Sequence, residues 1–180
     1  MLGRLALNQL GLDNRPVFGV LTTNASCNWR CKYCFSDYYM KHEDLLPTER
    51  MLQTVDELAE YGVIYLNVHG GESLLRRDIG EIIRHAKKRG MFVNLITNGA
   101  LLRRKWEDVK DIDSMCVSLD GREKGNDLNR GEGCYKIAVD AIDFALSKNV
   151  VVRVSMTISQ HTKDDIEWVC QFAKERRSEE

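Results

Sequence analysis

The sequence predicts an α/β fold whose parallel strands curl into a partial, open (β/α) barrel. Five short apolar segments alternate with segments that carry apolar residues at helical spacing. This alternation indicates a parallel sheet with helical crossovers. Within the strands apolar residues alternate with polar ones, whereas a flat sheet covered on both faces has continuous apolar strands. A curled sheet with a polar inner face fits this pattern.

The strands and helices follow one another in a regular order. The predicted strands cover residues 17–21, 63–68, 91–96, 114–119 and 150–158, and the predicted helices begin near residues 47, 78, 101, 137 and 162. Gly62 and Gly90 are expected to end the first two helices, and Asn149 is expected at the C′ position after the fourth. A loop through Arg130 and Gly131 is expected to connect the fourth strand to its helix. Residues 1–16 are expected to form an N-terminal extension with a small packing helix.

The alternation within the strands assigns side chains to the two faces of the sheet. The apolar residues are expected to pack on the helices, so the polar residues face the inside of the curl. The expected inner set is Tyr65, Asn67, His69, Cys116, Ser118, Asp120, Arg153, Ser155 and Thr157.

Length and composition indicate one globular domain and exclude some function classes. The 180 residues are 43% hydrophobic, which is enough for one core, and two prolines with no low-complexity tract leave no obvious linker. The formal net charge of -1 gives no field that would gather nucleic acid or an anionic membrane. No stretch near the start resembles a membrane span or a secretion signal. Six cysteines without a framework spacing suit a reducing cytoplasm.

Three cysteines within eight residues follow the first predicted strand: Cys27, Cys31 and Cys34. Disulfides fit poorly, because three neighbouring thiols leave an odd one. Structural zinc sites usually pair two such ligands with a second pair further along the chain. An iron-sulfur cluster accepts closely spaced thiolates and normally takes four, so three would leave one iron open. A zinc site completed by His42 or His69, or three unrelated free thiols, remains the alternative.

Polar segments follow the next three strands, at the end of the sheet where ligands bind in parallel α/β folds. These segments are residues 70–72 (Gly-Gly-Glu), 97–99 (Thr-Asn-Gly) and 118–121 (Ser-Leu-Asp-Gly). They should converge with the cysteines on one site. Gly70 and Gly71 would let a ligand approach the backbone, and the Glu72 carboxylate can hold an ammonium group.

The cysteine spacing C-x3-C-x2-C, with Tyr33 before the last cysteine, resembles the cluster loop of the radical S-adenosylmethionine (radical SAM) enzymes. The resemblance implies that Cys27, Cys31 and Cys34 hold a 4Fe-4S cluster whose open iron binds S-adenosylmethionine. In that family an electron from the cluster cleaves the cofactor, and the 5′-deoxyadenosyl radical takes a hydrogen atom from a substrate. It also implies an external flavodoxin-like or ferredoxin-like electron donor. Tyr33 would border adenine or pack around the loop.

The resemblance also implies roles for residues after the other strands. Glu72 matches the residue that binds the methionyl amino group, while Ser118 and Arg130 match those that reach the carboxylate or ribose. Asp120 would contact the ribose or only cap the turn, and Asn98 would line the pocket or serve as a turn residue. The full set of expected cofactor contacts is Tyr33, Gly70, Gly71, Glu72, Asn98, Ser118, Asp120 and Arg130.

The pattern is most similar to the branch that modifies peptides or builds cofactors, which implies a peptide or small-molecule substrate. Ser73 and Asn126 depart from it, since proline and histidine are usual at these positions. The family has six β/α units, and about five are expected within residues 17–180, so the core is expected to be truncated at its C-terminus. A non-catalytic Fe-S sensing or electron-transfer module and a zinc-stapled binding domain are the alternative functions.

Overall fold

The computed structural model describes residues 3, 10–11, 13–36, 38–39 and 46–176. Within them five parallel strands form one open sheet in sequential order, which confirms the predicted fold class. The strands are β1 (Phe18–Thr22), β2 (Tyr65–His69), β3 (Phe92–Thr97), β4 (Ser114–Ser118) and β5 (Val151–Ser155). The expected helix in residues 1–16 lies largely outside the described residues.

Helices connect the strands and cover one face of the sheet. They are α1 (Thr48–Tyr61), α2 (Ile79–Lys88), α3 (Leu102–Val109), α4 (Glu123–Arg130), α5 (Cys134–Ser147) and α6 (Ile166–Glu175), with short 3-10 turns at Ser73–Leu75 and Lys163–Asp165. Among the described residues, no helix has the length and apolar character that crossing a membrane requires.

The core lies between the helices and the outer face of the sheet. On α2 the residues Ile79, Ile82 and Ile83 are fully buried, and they belong to one cluster with Leu66 and Val93 of the sheet. Each such side chain contributes roughly 1.5–3 kcal/mol by leaving water. The 3.6-residue spacing of these side chains therefore determines which face of the helix packs on the sheet.

Two predicted helix ends have the expected left-handed backbone. Gly62 ends α1 with φ 101°, and its N–H donates to the Ala59 carbonyl at 2.9 Å. Asn149 follows α5 with φ 58°, the one positive φ of a residue other than glycine in the described part of the chain. Asparagine tolerates this conformation better than most residues, so its prediction as a C′ residue is confirmed.

Strand parity is confirmed as well. In β2 the residues Leu66 and Val68 are buried among the helices, while Tyr65, Asn67 and His69 alternate with them on the inner face. The register continues this face across the sheet, because Cys116 pairs with Arg153 and Ser118 pairs with Ser155. Asp120, which was also expected there, is fully buried beyond the end of β4.

The prediction of a loop through Arg130 was wrong, because residues Glu123–Arg130 form the helix α4. The buried face of this helix is polar and includes Asn126, Asn129 and Arg130. The Asn126 side chain accepts a hydrogen bond from the Asp120 amide at 3.0 Å. Polar contacts of its buried face therefore stabilise α4. Its sequence shows no apolar stripe from which the helix could be predicted.

The fifth strand is shorter than predicted, since it ends at Ser155 rather than at 158. Beyond it, the Thr157 amide donates to the Asp120 carboxylate at 2.9 Å. The chain therefore leaves the sheet after Ser155, and Thr157 contacts the loop after β4.

Candidate functional site

A cavity of about 520 Å³ lies at the carboxyl ends of the strands. Its walls include all three cysteines of the 27–34 loop and most of the predicted cofactor contacts. The predicted residues that line it are Cys27, Cys31, Cys34, Tyr33, Gly70, Gly71, Asn98, Ser118 and Arg130. The sheet topology thus brings together segments that are more than a hundred residues apart. Glu72 and Asp120 are the two predicted site residues that do not line the cavity.

The cysteine loop is fixed by backbone hydrogen bonds at both ends. The Cys27 amide donates to the Tyr38 carbonyl at 2.9 Å, and the Lys32 amide donates to the Asn129 carbonyl at 2.8 Å. The second bond joins the loop to α4, the helix that sequence patterns did not reveal. The position of the thiols therefore depends on that helix.

The thiols are free and partly buried. Cys27 and Cys31 are partly covered, whereas Cys34 is exposed. Burial raises the pKa of Cys27 to about 11 and also raises the pKa of Cys31. Within the described residues, no three His, Cys, Asp or Glu side chains already stand in the arrangement that a single metal ion needs. His69, one of the two histidines considered for a zinc site, has its Nε2 atom 3.1 Å from the Thr22 hydroxyl, and His42 lies outside the described residues.

Gly70 and Gly71 line the cavity, but protein atoms occupy the space beside them. A Cβ atom on Gly70 would lie 2.1 Å from Asn24 Oδ1, and one on Gly71 would lie 2.2 Å from the Ser26 carbonyl oxygen. The Glu72 amide donates to that same carbonyl at 2.7 Å. Glycine is required here because the loop after β2 crosses the start of the cysteine loop at backbone contact.

Glu72 lies behind the wall of the cavity, with 1% of its surface exposed. Its carboxylate accepts hydrogen bonds from the Leu74 amide at 3.1 Å, the Thr97 hydroxyl at 2.8 Å and the Asn98 amide at 2.7 Å. Burial raises the pKa of this carboxyl group above its usual range, although these hydrogen bonds lower it. A carboxylate has about four acceptor positions, so about one remains for a ligand.

Asn98 connects the loop after β3 to the cysteine loop. Its side-chain amide donates to Asn28 Oδ1 at 2.8 Å, and its Oδ1 atom accepts from the Ala100 amide at 3.0 Å. Asn28 lies between the first two cysteines, and no pattern in the sequence indicates its role. Both asparagines therefore orient the thiol loop from the side.

Asp120 is fully buried and accepts four hydrogen bonds. Its donors are Arg130 Nη2 at 2.7 Å, the Thr157 amide at 2.9 Å, the Tyr33 hydroxyl at 2.9 Å and Asn129 Nδ2 at 3.2 Å. These donors occupy the acceptor positions of a carboxylate. Asp120 therefore joins the cysteine loop, α4 and the chain just after β5.

Arg130 presents its guanidinium to the cavity beside Tyr33. Burial is the largest single influence on the pKa of Arg130 and lowers it, but the hydrogen bond to Asp120 and the attraction of nearby negative charge together raise it by more, so the net shift is upward and the group stays charged. Its centre lies 5.5 Å from the Tyr33 ring. Arg130 Nε is buried without a hydrogen-bond partner among the residues that the structure describes. An unsatisfied buried donor on a cavity wall marks a position where a ligand would supply an acceptor.

Sequence reasoning missed Asn28 and Asn129, and it placed Thr97 and Thr157 near the site without giving either of them a partner. Each acts through one long-range hydrogen bond or more. No spacing rule along the chain identifies such residues, because their partners are fixed only after the sheet has formed.

The sequence of this chain is similar to those of known proteins. Residues 21–173 match the family model described as the Radical SAM superfamily. The chain is 28% identical over 176 residues to the Fe-coproporphyrin III synthase of Methanosarcina barkeri, which covers 95% of this chain and 44% of that protein. It is 33% identical over 144 residues to a probable GTP 3′,8-cyclase of Methanocella arvoryzae, which covers 77% of this chain and 47% of that protein. The chain thus spans about half the length of these relatives.

The fold is similar to that of solved structures. Streptococcus suis SuiB bound to S-adenosylmethionine superposes with a TM-score of 0.79 at 16% identity, over 96% of this chain and 41% of that chain. The protein anSMEcpe with bound AdoMet superposes with a TM-score of 0.70 at 20% identity, over 89% of this chain and 48% of that chain.

Proposed function

The chain belongs to the Radical SAM superfamily, and on this basis we propose that it cleaves S-adenosylmethionine at a 4Fe-4S cluster and abstracts a hydrogen atom from a substrate. The observation that carries the proposal is one cavity lined by three thiols together with Ser118 and Arg130. Residues 17–180 would be the catalytic core and residues 1–16 an extension.

The donor set fits the two cofactors of the family. Cys27, Cys31 and Cys34 supply three thiolates on one wall and would leave one iron of a four-iron cluster open. When bound, the cluster and S-adenosylmethionine supply one-electron cleavage of a carbon-sulfur bond and a carbon radical for hydrogen abstraction. The thiols must lose their protons to bind iron.

The other residues would bind the methionyl part of S-adenosylmethionine. Arg130 Nε offers an unused donor, and with the Ser118 hydroxyl on the same cavity wall it would hold the carboxylate. Glu72 would reach the amino group through its one remaining acceptor position. Its main action would be to hold the loops after β2 and β3 together. Tyr33, fixed by its bond to Asp120, would border the adenine ring.

A peptide or a cofactor precursor is the proposed substrate class. SuiB has been crystallised with the precursor peptide SuiA. A sporulation killing factor maturation protein, SkfB of Bacillus subtilis, is 27% identical to this chain over 157 residues. These names support the class without selecting one substrate.

The proposed partners include an external electron donor of the flavodoxin or ferredoxin type. Reductive cleavage consumes an electron, and the three proposed thiolate ligands belong to a single cluster. The proposed compartment is the cytoplasm, because the described part of the chain holds free cysteines without a disulfide.

The test is anaerobic reconstitution with iron and sulfide, reduction with dithionite, and chromatography for 5′-deoxyadenosine after S-adenosylmethionine is added. Cys31→Ala should abolish the product. Cys170→Ala, which removes an exposed thiol on α6, should not. A wild-type protein that holds a cluster but forms no 5′-deoxyadenosine would overturn the proposal and favour a sensing or electron-transfer module. A colourless, sulfide-free protein with bound zinc would favour the binding domain.

A further inference from the structure

A second cavity, of about 550 Å³, lies on the inner face of the sheet, nearer the amino ends of the strands. It shares Ile96 and Ser155 with the cavity described above. The two spaces are therefore neighbours, and a molecule in one lies next to a molecule in the other. The lining of the second cavity is Phe18, Tyr65, Asn67, Asn94, Ile96, Cys116, Arg153, Val154 and Ser155.

The inner face carries one permanent charge. Among the strand residues that face inward, no Asp or Glu occurs, and Arg153 is the one Lys or Arg. Within the described residues Arg153 has no acidic partner. Its Nη2 atom instead donates to the Tyr65 hydroxyl, and to the Ser114 hydroxyl at 3.2 Å, and its centre lies 5.6 Å from the Tyr65 ring. Side chains of two other strands thus hold the guanidinium in place while its charge remains uncompensated.

Arg153 also fixes the direction of a chain of hydrogen bonds along this face. A guanidinium only donates, so the Ser114 oxygen accepts from it and the Ser114 hydroxyl donates onward to Asn94 Oδ1 at 2.7 Å. Asn94 Nδ2 then donates to Asn67 Oδ1, also at 2.7 Å. Each oxygen of this chain therefore already accepts one hydrogen bond, whereas several donors beside it have no partner among the described residues.

What remains for a ligand is a set of donors. Asn67 Nδ2 ends the chain without a partner among the described residues. The Tyr65 oxygen accepts from Arg153, which leaves its hydroxyl proton to be donated elsewhere. Arg153 Nε and Nη1 are likewise unused in the described part of the structure. Such a lining satisfies a group that only accepts hydrogen bonds and carries negative charge.

We propose that this second cavity binds an anionic group of the substrate, a carboxylate or a phosphate, with Arg153 as its principal contact. The proposal rests on the proposed function, since it names the substrate class of that reaction. The aromatic stack of Phe18, Tyr65 and Phe92, with ring centres 5.3 and 5.0 Å apart, lies at the amino end of the same face. These stacked rings make the amino end of the cavity apolar, so the polar contacts for a ligand lie nearer the cysteine cavity.

The test is NMR titration of the ¹⁵N-labelled full chain with succinate and, separately, with inorganic phosphate, at constant ionic strength kept with sodium chloride. We expect saturable shifts of the Asn67 side-chain amide and the Arg153 Nε–H signals. Arg153→Gln should raise the dissociation constant at least tenfold, and Arg153→Lys should restore part of the loss. Arg103→Gln removes the same charge from an exposed ion pair with Asp140 and should leave the constant within twofold of wild type.

A second variant tests the donor chain itself. Ser114→Ala removes the link between Arg153 and Asn94, so the Asn67 response should shrink while the Arg153 response persists. Tighter binding of succinate would assign a carboxylate, and tighter binding of phosphate would assign a phosphate. The proposal would be overturned by NMR shifts that do not saturate and that sodium chloride alone reproduces. Equal binding of the anion by Arg153→Gln and wild type would also overturn it.

The 5′-deoxyadenosine assay separates this failure from failure of the proposed function. Wild-type protein that forms 5′-deoxyadenosine but binds neither anion overturns the anion site alone. Wild-type protein that binds succinate or phosphate but forms no 5′-deoxyadenosine overturns the radical chemistry and leaves the anion site in place.

Discussion

Replacing Asp120 by Asn should destabilise the protein more than any other single loss of charge at the site. The Arg130–Asp120 pair is 2.7 Å long, and its side chains are 8% and 0% exposed. An amide in place of the carboxylate can still accept from Arg130 and the Thr157 amide. Its NH₂ group would then face the Asn129 amide, which also donates. Arg130 would be left charged in a buried site without a counter-charge.

The expected loss in unfolding free energy is about 3–5 kcal/mol, the usual cost of removing one partner from a buried ion pair. With a urea m-value of about 2 kcal/mol/M for a chain of this size, the midpoint should fall by about 2 M. Urea unfolding followed by far-UV circular dichroism measures this change. If Asp120→Asn does not fold, Tyr33→Phe removes one of the four donors and should cost about 1 kcal/mol.

Asp140→Asn is the matched control. The Arg103–Asp140 pair has the same 2.7 Å separation, but its side chains are 58% and 56% exposed. Solvent screens such a pair, so the urea midpoint should stay close to that of wild type. Equal midpoints for the Asp120 and Asp140 variants would refute the reasoning, because burial would then not decide what the ion pair contributes.

Three further changes test the loops around the cavity. Gly71→Ala should lower the iron bound on reconstitution, because the new methyl group would lie 2.2 Å from a backbone oxygen; Gly3→Ala, whose methyl group meets no atom within 4 Å and whose φ is not positive, should not. Asn28→Ala removes the 2.8 Å bond to Asn98 and should lower the unfolding free energy by about 1 kcal/mol. Burial lowers the pKa of His69, so the unfolded chain takes up the proton first as the pH falls. Stability should therefore decrease below about pH 6.5, and His69→Gln should flatten this decrease in urea unfolding at pH 7.5 and 5.5.

Each of these expectations has a contrary result. Equal iron content in both glycine variants would show that the loop crossing tolerates a side chain. An Asn28 variant as stable as wild type would show that the loop does not depend on this bond. An unchanged pH slope in the His69 variant would assign the acid sensitivity to other groups.

Much of the fold could be predicted because burial leaves a periodic signal. The alternation of Leu66 and Val68 with Tyr65 and Asn67 identified both faces of β2 before any contact was known. The spacing of isoleucines did the same for α2. These patterns arise since every residue on the buried face meets the same apolar layer. Helix α4 lacks such a layer on its polar buried face, so periodicity could not reveal it.

The site was predictable in its location but not in its internal roles. Loops after parallel strands must meet at one end of the sheet, so the convergence of the cysteines with Ser118 and Arg130 follows from topology. Whether a carboxylate faces the cavity or lies behind its wall depends on which hydrogen-bond donors surround it in the folded chain. The donors around Glu72 and Asp120 come from five segments of the chain, and none of the donors to Asp120 is adjacent to it in sequence.

Arg130 and Arg153 differ in the partners that each guanidinium has in the absence of a ligand. Arg130 already has a buried carboxylate partner, so most of its attraction for another anion is offset, and its remaining N–H donors act chiefly through direction. Arg153 has neutral partners and no counter-charge among the described residues, so no carboxylate of the protein offsets its attraction, although its exposed side chain is screened by solvent. The cavity beside the cysteines is thus suited to orienting a molecule that its other contacts hold. The second cavity, which Arg153 lines, is suited to selecting molecules by charge. Because the two share a wall, an anion held by Arg153 would place the rest of its molecule against the space where hydrogen abstraction is proposed.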